Sequence, residues 1–138
     1  MIPHLLMFVS MVVIHLFIMP FTMLAVPTDF RVSRTQVYAG VFMGACMMAV
    51  EAIMHPMDFI GWALTLVLLT GSVILLRWQI GVSDDEYLKD MIPHHSMAVL
   101  TSEARILRAK NPQVLGLAQS ILQTQKEEIA LMKKMLIK

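Results

Sequence analysis

The sequence predicts an all-α protein in which three transmembrane helices lead into a two-helix antiparallel hairpin. Three observations carry this. Of 138 residues, 57% are apolar and only 15% charged, far more apolar than a soluble domain of this length needs to be. The charges are also uneven: Asp29, Arg31, Arg34, Glu51 and Asp58 are the only ones before Arg77, and the rest crowd into the C-terminal part. That part carries the capping and turn residues of two amphipathic helices. The division sets a membrane domain at residues 1–82 and a soluble hairpin at residues 83–138.

A helix needs about 20 apolar residues to cross the hydrocarbon, and residues 5–26, 37–54 and 59–76 each come close to that. The first span lacks the basic flank of a signal peptide, and Ala25-Val26-Pro27 is no small-x-small cleavage site, so it is expected to be retained. Arg31 and Arg34 follow span one and Arg77 follows span three, while the His55-Pro56-Met57-Asp58 turn has neither Lys nor Arg. The positive-inside rule then puts the N-terminus outside and the hairpin in the cytoplasm. Trp62 and Trp78 sit near the two ends of span three, where indoles anchor at the interface. Gly40 and Gly44 form a small-xxx-small pattern that permits close helix packing.

The soluble part opens with Ser83-Asp84-Asp85-Glu86, which reads as a capping box with acids placed to favour the helix dipole. The helix is expected to end near Ala109, where Lys110-Asn111-Pro112 supplies a turn and Pro112 suits the first position of the next helix. Along that last helix Ala118, Ile121, Gln125, Glu128, Met132 and Met135 share a face beside an apolar row of Leu115, Leu122, Ile129 and Leu136. Pro93 lies inside the first hairpin helix and should kink it just before His94 and His95.

Folding the two helices back about Asn111 sets His95 near Glu127, His94 near Glu128 and Asp90 near Met132. Asp90 and Met97 lie about one turn to either side of His94, and Met91 does so for His95, so possible ligands stack. Neutral imidazoles suit copper, zinc and iron, whereas thioethers are soft and select Cu(I) over zinc. The candidate metal ligands are therefore His94, His95, Met91, Met97, Asp90, Glu128, Met132 and Met135. The plainer alternative makes Met91, Met132 and Met135 core filler and His95 a core histidine bonded to Glu128.

Residues 84–136, including Asp90-Met91-Ile92-Pro93-His94-His95-Ser96-Met97-Ala98 and the run from Gln125 to Met132, closely resemble the bacterial family called domain of unknown function 305. The resemblance implies a ferritin-like helical bundle and an association with copper and silver handling, with His94, His95, Met91 and Met132 as inherited ligand candidates. Some members of that family also carry N-terminal membrane spans. No biochemical activity is established for it, so the resemblance implies metal binding more than a reaction.

Within the apolar part, Met7, Met11, His15, Met19 and Met23 recur every four residues, as do Met43, Met47, Glu51 and His55. Each step advances about 40° beyond a full turn, so each set winds round its helix as a ribbon whose neighbours share a face. An ionisable residue inside a span is a functional candidate by default, which applies to Glu51 and His15. Met11, His15, Met19, Met47, Glu51 and His55 are accordingly secondary candidates for passing Cu(I). The alternative is that Met is apolar filler and the polar groups bond neighbouring helices or reach water.

The function expected is a membrane-anchored protein that binds Cu(I) for sequestration, relay or tolerance, with the lipid bilayer, the metal ion and a second copy of the chain as partners. Two helices bury little alone, which is why dimerisation is expected to complete the bundle. A structural or partner-binding module without metal is the alternative. A redox enzyme is disfavoured because the paired Glu-x-x-His motifs of di-iron bundles are missing, and no catalytic residue stands out. The net charge of +1 offers no basic stripe for nucleic acid, and the single Cys46 forms no intrachain disulfide. A haem held by His15 and His55 is disfavoured because the two lie at different levels.

Overall fold

The structure, a computed structural model, describes residues 2–137. Five helices account for the fold: α1 (Ile2–Met23), α2 (Arg34–Met54), α3 (Phe59–Trp78), α4 (Asp84–Ile106) and α5 (Pro112–Leu136), with no strand among the described residues. The chain divides into two compact units. One takes the chain up to Met19 together with Val32–Ser83; the other takes Pro20–Arg31 together with the chain from Asp84 onward. The segment that follows α1 thus packs with the hairpin, although the sequence carries no local sign of it.

In the first unit α2 lies in the middle, packed against both α1 and α3. Its start at Arg34 is set by a capping box: Ser33 accepts from the Gln36 amide at 3.1 Å, and the Gln36 side chain takes the Ser33 N–H at 3.4 Å. Asp58 caps α3 by accepting from the Gly61 amide at 2.9 Å. At its far end α3 closes through Gln79 in the left-handed region, φ 50°. Beyond it Gly81 at φ 71° lets the chain turn so that Arg34 and Tyr38 donate to the Gly81 and Ile80 carbonyls at 2.6 and 2.8 Å.

α1 ends earlier than the hydropathy alone indicates, at Met23. Pro27 forces the residue before it out of the helical region, and Val26 is indeed extended at φ −137°, ψ 139°. Within α1, Ile14–Ile18 form a π-helical turn in which the Met19 amide reaches back to the Ile14 carbonyl. The wide turn stands immediately before Pro20, whose missing N–H and bulky ring conflict with a regular α-helical turn.

α1, α2 and α3 are long and apolar enough to cross a membrane. Their outward faces bear large apolar side chains even at mid-helix, Leu66 and Val67 of α3 being 62% and 65% exposed. α1 and α2 approach closely at Gly40 and Gly44. A methyl added at Gly44 would lie 2.7 Å from the Phe8 ring and 3.0 Å from the Phe8 carbonyl, whereas one at Gly40 meets nothing nearer than His15 at 3.5 Å. Gly44→Ala is therefore expected to destabilise the chain by about 1–3 kcal/mol and Gly40→Ala by less than about 0.5 kcal/mol. Thermal unfolding of the two variants in detergent, followed by circular dichroism, checks the contrast.

In the second unit α4 and α5 form the antiparallel hairpin. Asn111 caps α5 by accepting from the Gln113 amide at 2.9 Å, and Pro112 takes the first helical position. α4 runs through Pro93, whose ring is buried. The core consists of Ile92, Val99, Ile129 and Met132, flanked by Leu88, Met91, Leu122, Leu136 and by Ala25 from the segment after α1. That segment is fastened by two polar contacts. The Ala25 amide donates to the Ser96 hydroxyl at 3.0 Å, and Lys133 pairs with Asp29, which is only 2% exposed.

Candidate functional site

His95 projects from α4 toward α5, where its Nε2 lies 2.9 Å from Glu128 Oε2. Its other ring nitrogen, Nδ1, is 2.8 Å from the Met91 carbonyl one turn earlier. A carbonyl only accepts, so Nδ1 carries the proton, and in the neutral ring Nε2 is the nitrogen with a free lone pair. This is the arrangement by which a metal-ligating histidine is commonly oriented: one nitrogen tied to a backbone carbonyl, the other presented. Glu128, also approached by the Gln125 amide at 3.4 Å, stands beside the presented nitrogen. The His95 side chain is 20% exposed and that of Glu128 46%, so the pair sits at the rim of the core within reach of solvent.

His94 points elsewhere. Its side chain is 57% exposed, and Nε2 lies 3.9 Å from Asp90 Oδ2, an ion-pair distance too long for a hydrogen bond. Asp90 itself is 6% exposed. The fold-back about Asn111 set His94 against Glu128, and the structure brings His95 there instead. Residues one apart stand at nearly the same height but about 100° apart around the helix, so equal height does not decide which of two neighbours faces the partner.

Of the thioethers, Met132 is buried in the core and Met91 packs against it, directly beside the turn that holds His95. Met97 is half-buried about one turn past His94, and Met135 is exposed. His95 and Glu128 thus meet across the hairpin, with Met91 one turn before His95 and Met132 one turn after Glu128, while exposed His94 and buried Asp90 form a separate pair. Among the described residues no three His, Cys, Asp or Glu side chains converge to hold a metal. A metal site in this hairpin needs thioether ligands as well.

The secondary candidates lie in the first unit. Glu51 Oε1 pairs with His55 Nδ1 at 3.1 Å at the end of α2. His15 lies in the π-helical turn with its ring edge over Gly40, Met11 and Met47 are half-buried, and Met19 is exposed. His4, which the sequence reading passed over, is 5% exposed, and its Nε2 lies 3.1 Å from the His55 carbonyl. The signal for it was its spacing: His4 and His15 are close to three full turns apart and share a face.

Residues 74–136 match the family described as Domain of unknown function (DUF305). A curated relative, the uncharacterized protein L153 of Acanthamoeba polyphaga mimivirus, is 38% identical over 66 residues, which is 48% of this chain and 43% of that protein. The chain thus matches less than half of that relative's length. No solved structure matches the chain.

Proposed function

We propose, from the premise that residues 74–136 belong to the DUF305 family, that this chain is a membrane-anchored binding protein for Cu(I). It sequesters or relays the ion without chemical turnover. The observation that carries this reading is His95, whose Nδ1–H is fixed on the Met91 carbonyl while Nε2 is presented beside Glu128. Cu(I) binds at that Nε2, with Met91 and Met132 as soft ligands from the adjoining core and His94 with Asp90 as a second group of donors.

Three further parts of the reading have support of their own. The exposed apolar surface of α1, α2 and α3 supports insertion in a bilayer. The packing of Pro20–Arg31 with the hairpin supports one side of the membrane for both, as the N-out, C-in orientation in a bacterial inner membrane requires. Leu117 at 61% and Leu131 at 52% exposure on α5 support a second copy of the hairpin as the element that completes a four-helix bundle.

The test is a Cu(I) competition titration on the full chain in detergent, as wild type and with His94 and His95 both replaced by Ala. The reading expects tight binding that the double variant loses. A second reading, a structural or partner-binding module, draws on the fact that the His95–Glu128 pair is already complete and that Met132 is core. Failure of the folded wild type to bind would make that second reading the account of the hairpin.

A further inference from the structure

α5 buries one face in the hairpin core and leaves another bare. The buried face carries Ala118, Ile129 and Met132. About a quarter of a turn round the helix, a second stripe runs through Leu117, Ile121, Thr124, Glu128, Leu131 and Met135 at alternating steps of four and three, and Val114 continues it toward the start of the helix. Its large apolar members are all exposed, and the Glu128 side chain is 46% exposed. Steps of four and three average 3.5 residues, the repeat that keeps one side of a helix against a partner helix along its length.

The order of polarity along the stripe indicates which helix that is. About a midpoint at residue 126 it reads alike in both directions: Leu117 mirrors Met135, Ile121 mirrors Leu131, and Thr124 mirrors Glu128. Two copies of α5 laid antiparallel about that midpoint set each apolar residue against an apolar one and each Glu128 against Thr124 of the second copy. A parallel pair in register would set the two Glu128 carboxylates against each other, a like-charge contact that costs several kcal/mol. An unrelated partner has no need to match this mirror order, whereas a second copy related by a two-fold axis matches it by symmetry. We infer that two chains join through an antiparallel α5–α5 seam in which the Thr124 hydroxyl of the second copy donates to Glu128, so that each candidate site takes a residue from the other chain. The inference deepens the second-copy part of the proposed function and rests on it. A carboxylate has acceptor capacity both for Thr124 and for its contact with His95 on its own chain. The seam spans only about three heptads, but α4 already holds α5 helical, so association does not have to supply the cost of forming the helix.

The experiment uses the full-length chain in detergent without metal, in a Cys46→Ser background with a nitroxide label on Gln113→Cys near the start of α5. Light scattering is expected to give a dimer. Pulsed electron resonance should then give a label separation of about 40 Å, because residue 113 lies 13 residues from the midpoint on each copy and the helix rises about 1.5 Å per residue. Labels within about 20 Å of each other would mean a parallel pair, whose axes lie about 10 Å apart, and would overturn the seam as drawn. Ile121→Glu with Leu131→Glu charges both apolar layers beside the polar centre. Both side chains are exposed in the single chain, so circular dichroism should stay helical while the dimer dissociates at least about 100-fold more readily. A dimer that survives this double variant overturns α5 as the interface. A monomeric wild-type chain overturns the second copy as the occupant and leaves the stripe to the bilayer surface or another protein. Copper enters none of these outcomes: a dimer that fails the Cu(I) titration overturns the metal reading alone, and a monomer that passes it overturns the seam alone.

Discussion

His95→Ala is expected to weaken Cu(I) binding at the hairpin about 100-fold, a loss of about 2.7 kcal/mol. His94→Ala should cost about 10-fold or less. The two histidines are adjacent in sequence and chemically identical, so any difference comes from placement. His95 has one nitrogen fixed on the Met91 carbonyl, so little freedom remains to be lost when the other nitrogen binds. His94 is 57% exposed and only loosely associated with Asp90, and must be ordered on binding. Glu128→Gln keeps the shape and removes the charge beside Nε2, and is expected to fall between the two. A competition titration with a chromophoric Cu(I) chelator orders the three variants. Equal effects of His94→Ala and His95→Ala would mean that the ring orientation seen at His95 is irrelevant to binding.

The second large effect is structural. Lys133→Met is expected to destabilise the hairpin unit by about 3–5 kcal/mol, because it leaves the Asp29 carboxylate buried and unpaired. The Asp29 side chain is 3% exposed while that of Lys133 is 31%, so the carboxylate is the member that cannot turn to water when its partner is removed. The companion variant Asp29→Leu with Lys133→Met should recover most of the loss, since replacing both members of a buried pair by apolar groups is often neutral. Denaturant unfolding of the detergent-solubilised chain checks both. A Lys133→Met effect below about 1 kcal/mol would class the pair with ordinary surface ion pairs. A second contact of the same segment gives Ser96 its role. Its position inside the His94-His95-Ser96-Met97 run invites a metal-binding reading, but its fully buried hydroxyl takes the Ala25 amide and helps fasten the segment after α1.

The helices were legible because hydropathy and the 3.6-residue period are local properties, and the turn at Lys110-Asn111-Pro112 is written in residues next to the helix it begins. The end of α1 was missed although its cause, Pro27 acting on Val26, is equally local, because the apolar run continues past it. Ser33 and Gln36 likewise form a capping box at the required spacing, but the apolar run that marks the span begins only at Val37. The candidate site was legible as a set of residues on facing helices, but the choice between His94 and His95 depends on rotation about the helix axis, which fold-back about a turn leaves open. Asp29–Lys133 and Ala25–Ser96 could not be read at all. They join segments far apart in sequence through groups that elsewhere would be ordinary surface residues.

The central claim is that the hairpin binds Cu(I) through imidazole nitrogen and thioether sulfur together. X-ray absorption at the copper edge, on the full-length chain loaded with one equivalent of Cu(I), tests it directly. The account predicts a low-coordinate Cu(I) with both nitrogen and sulfur in its first shell, and loss of the nitrogen contribution when His95 is replaced. A first shell without sulfur, or copper that does not remain bound to the folded chain, would contradict it.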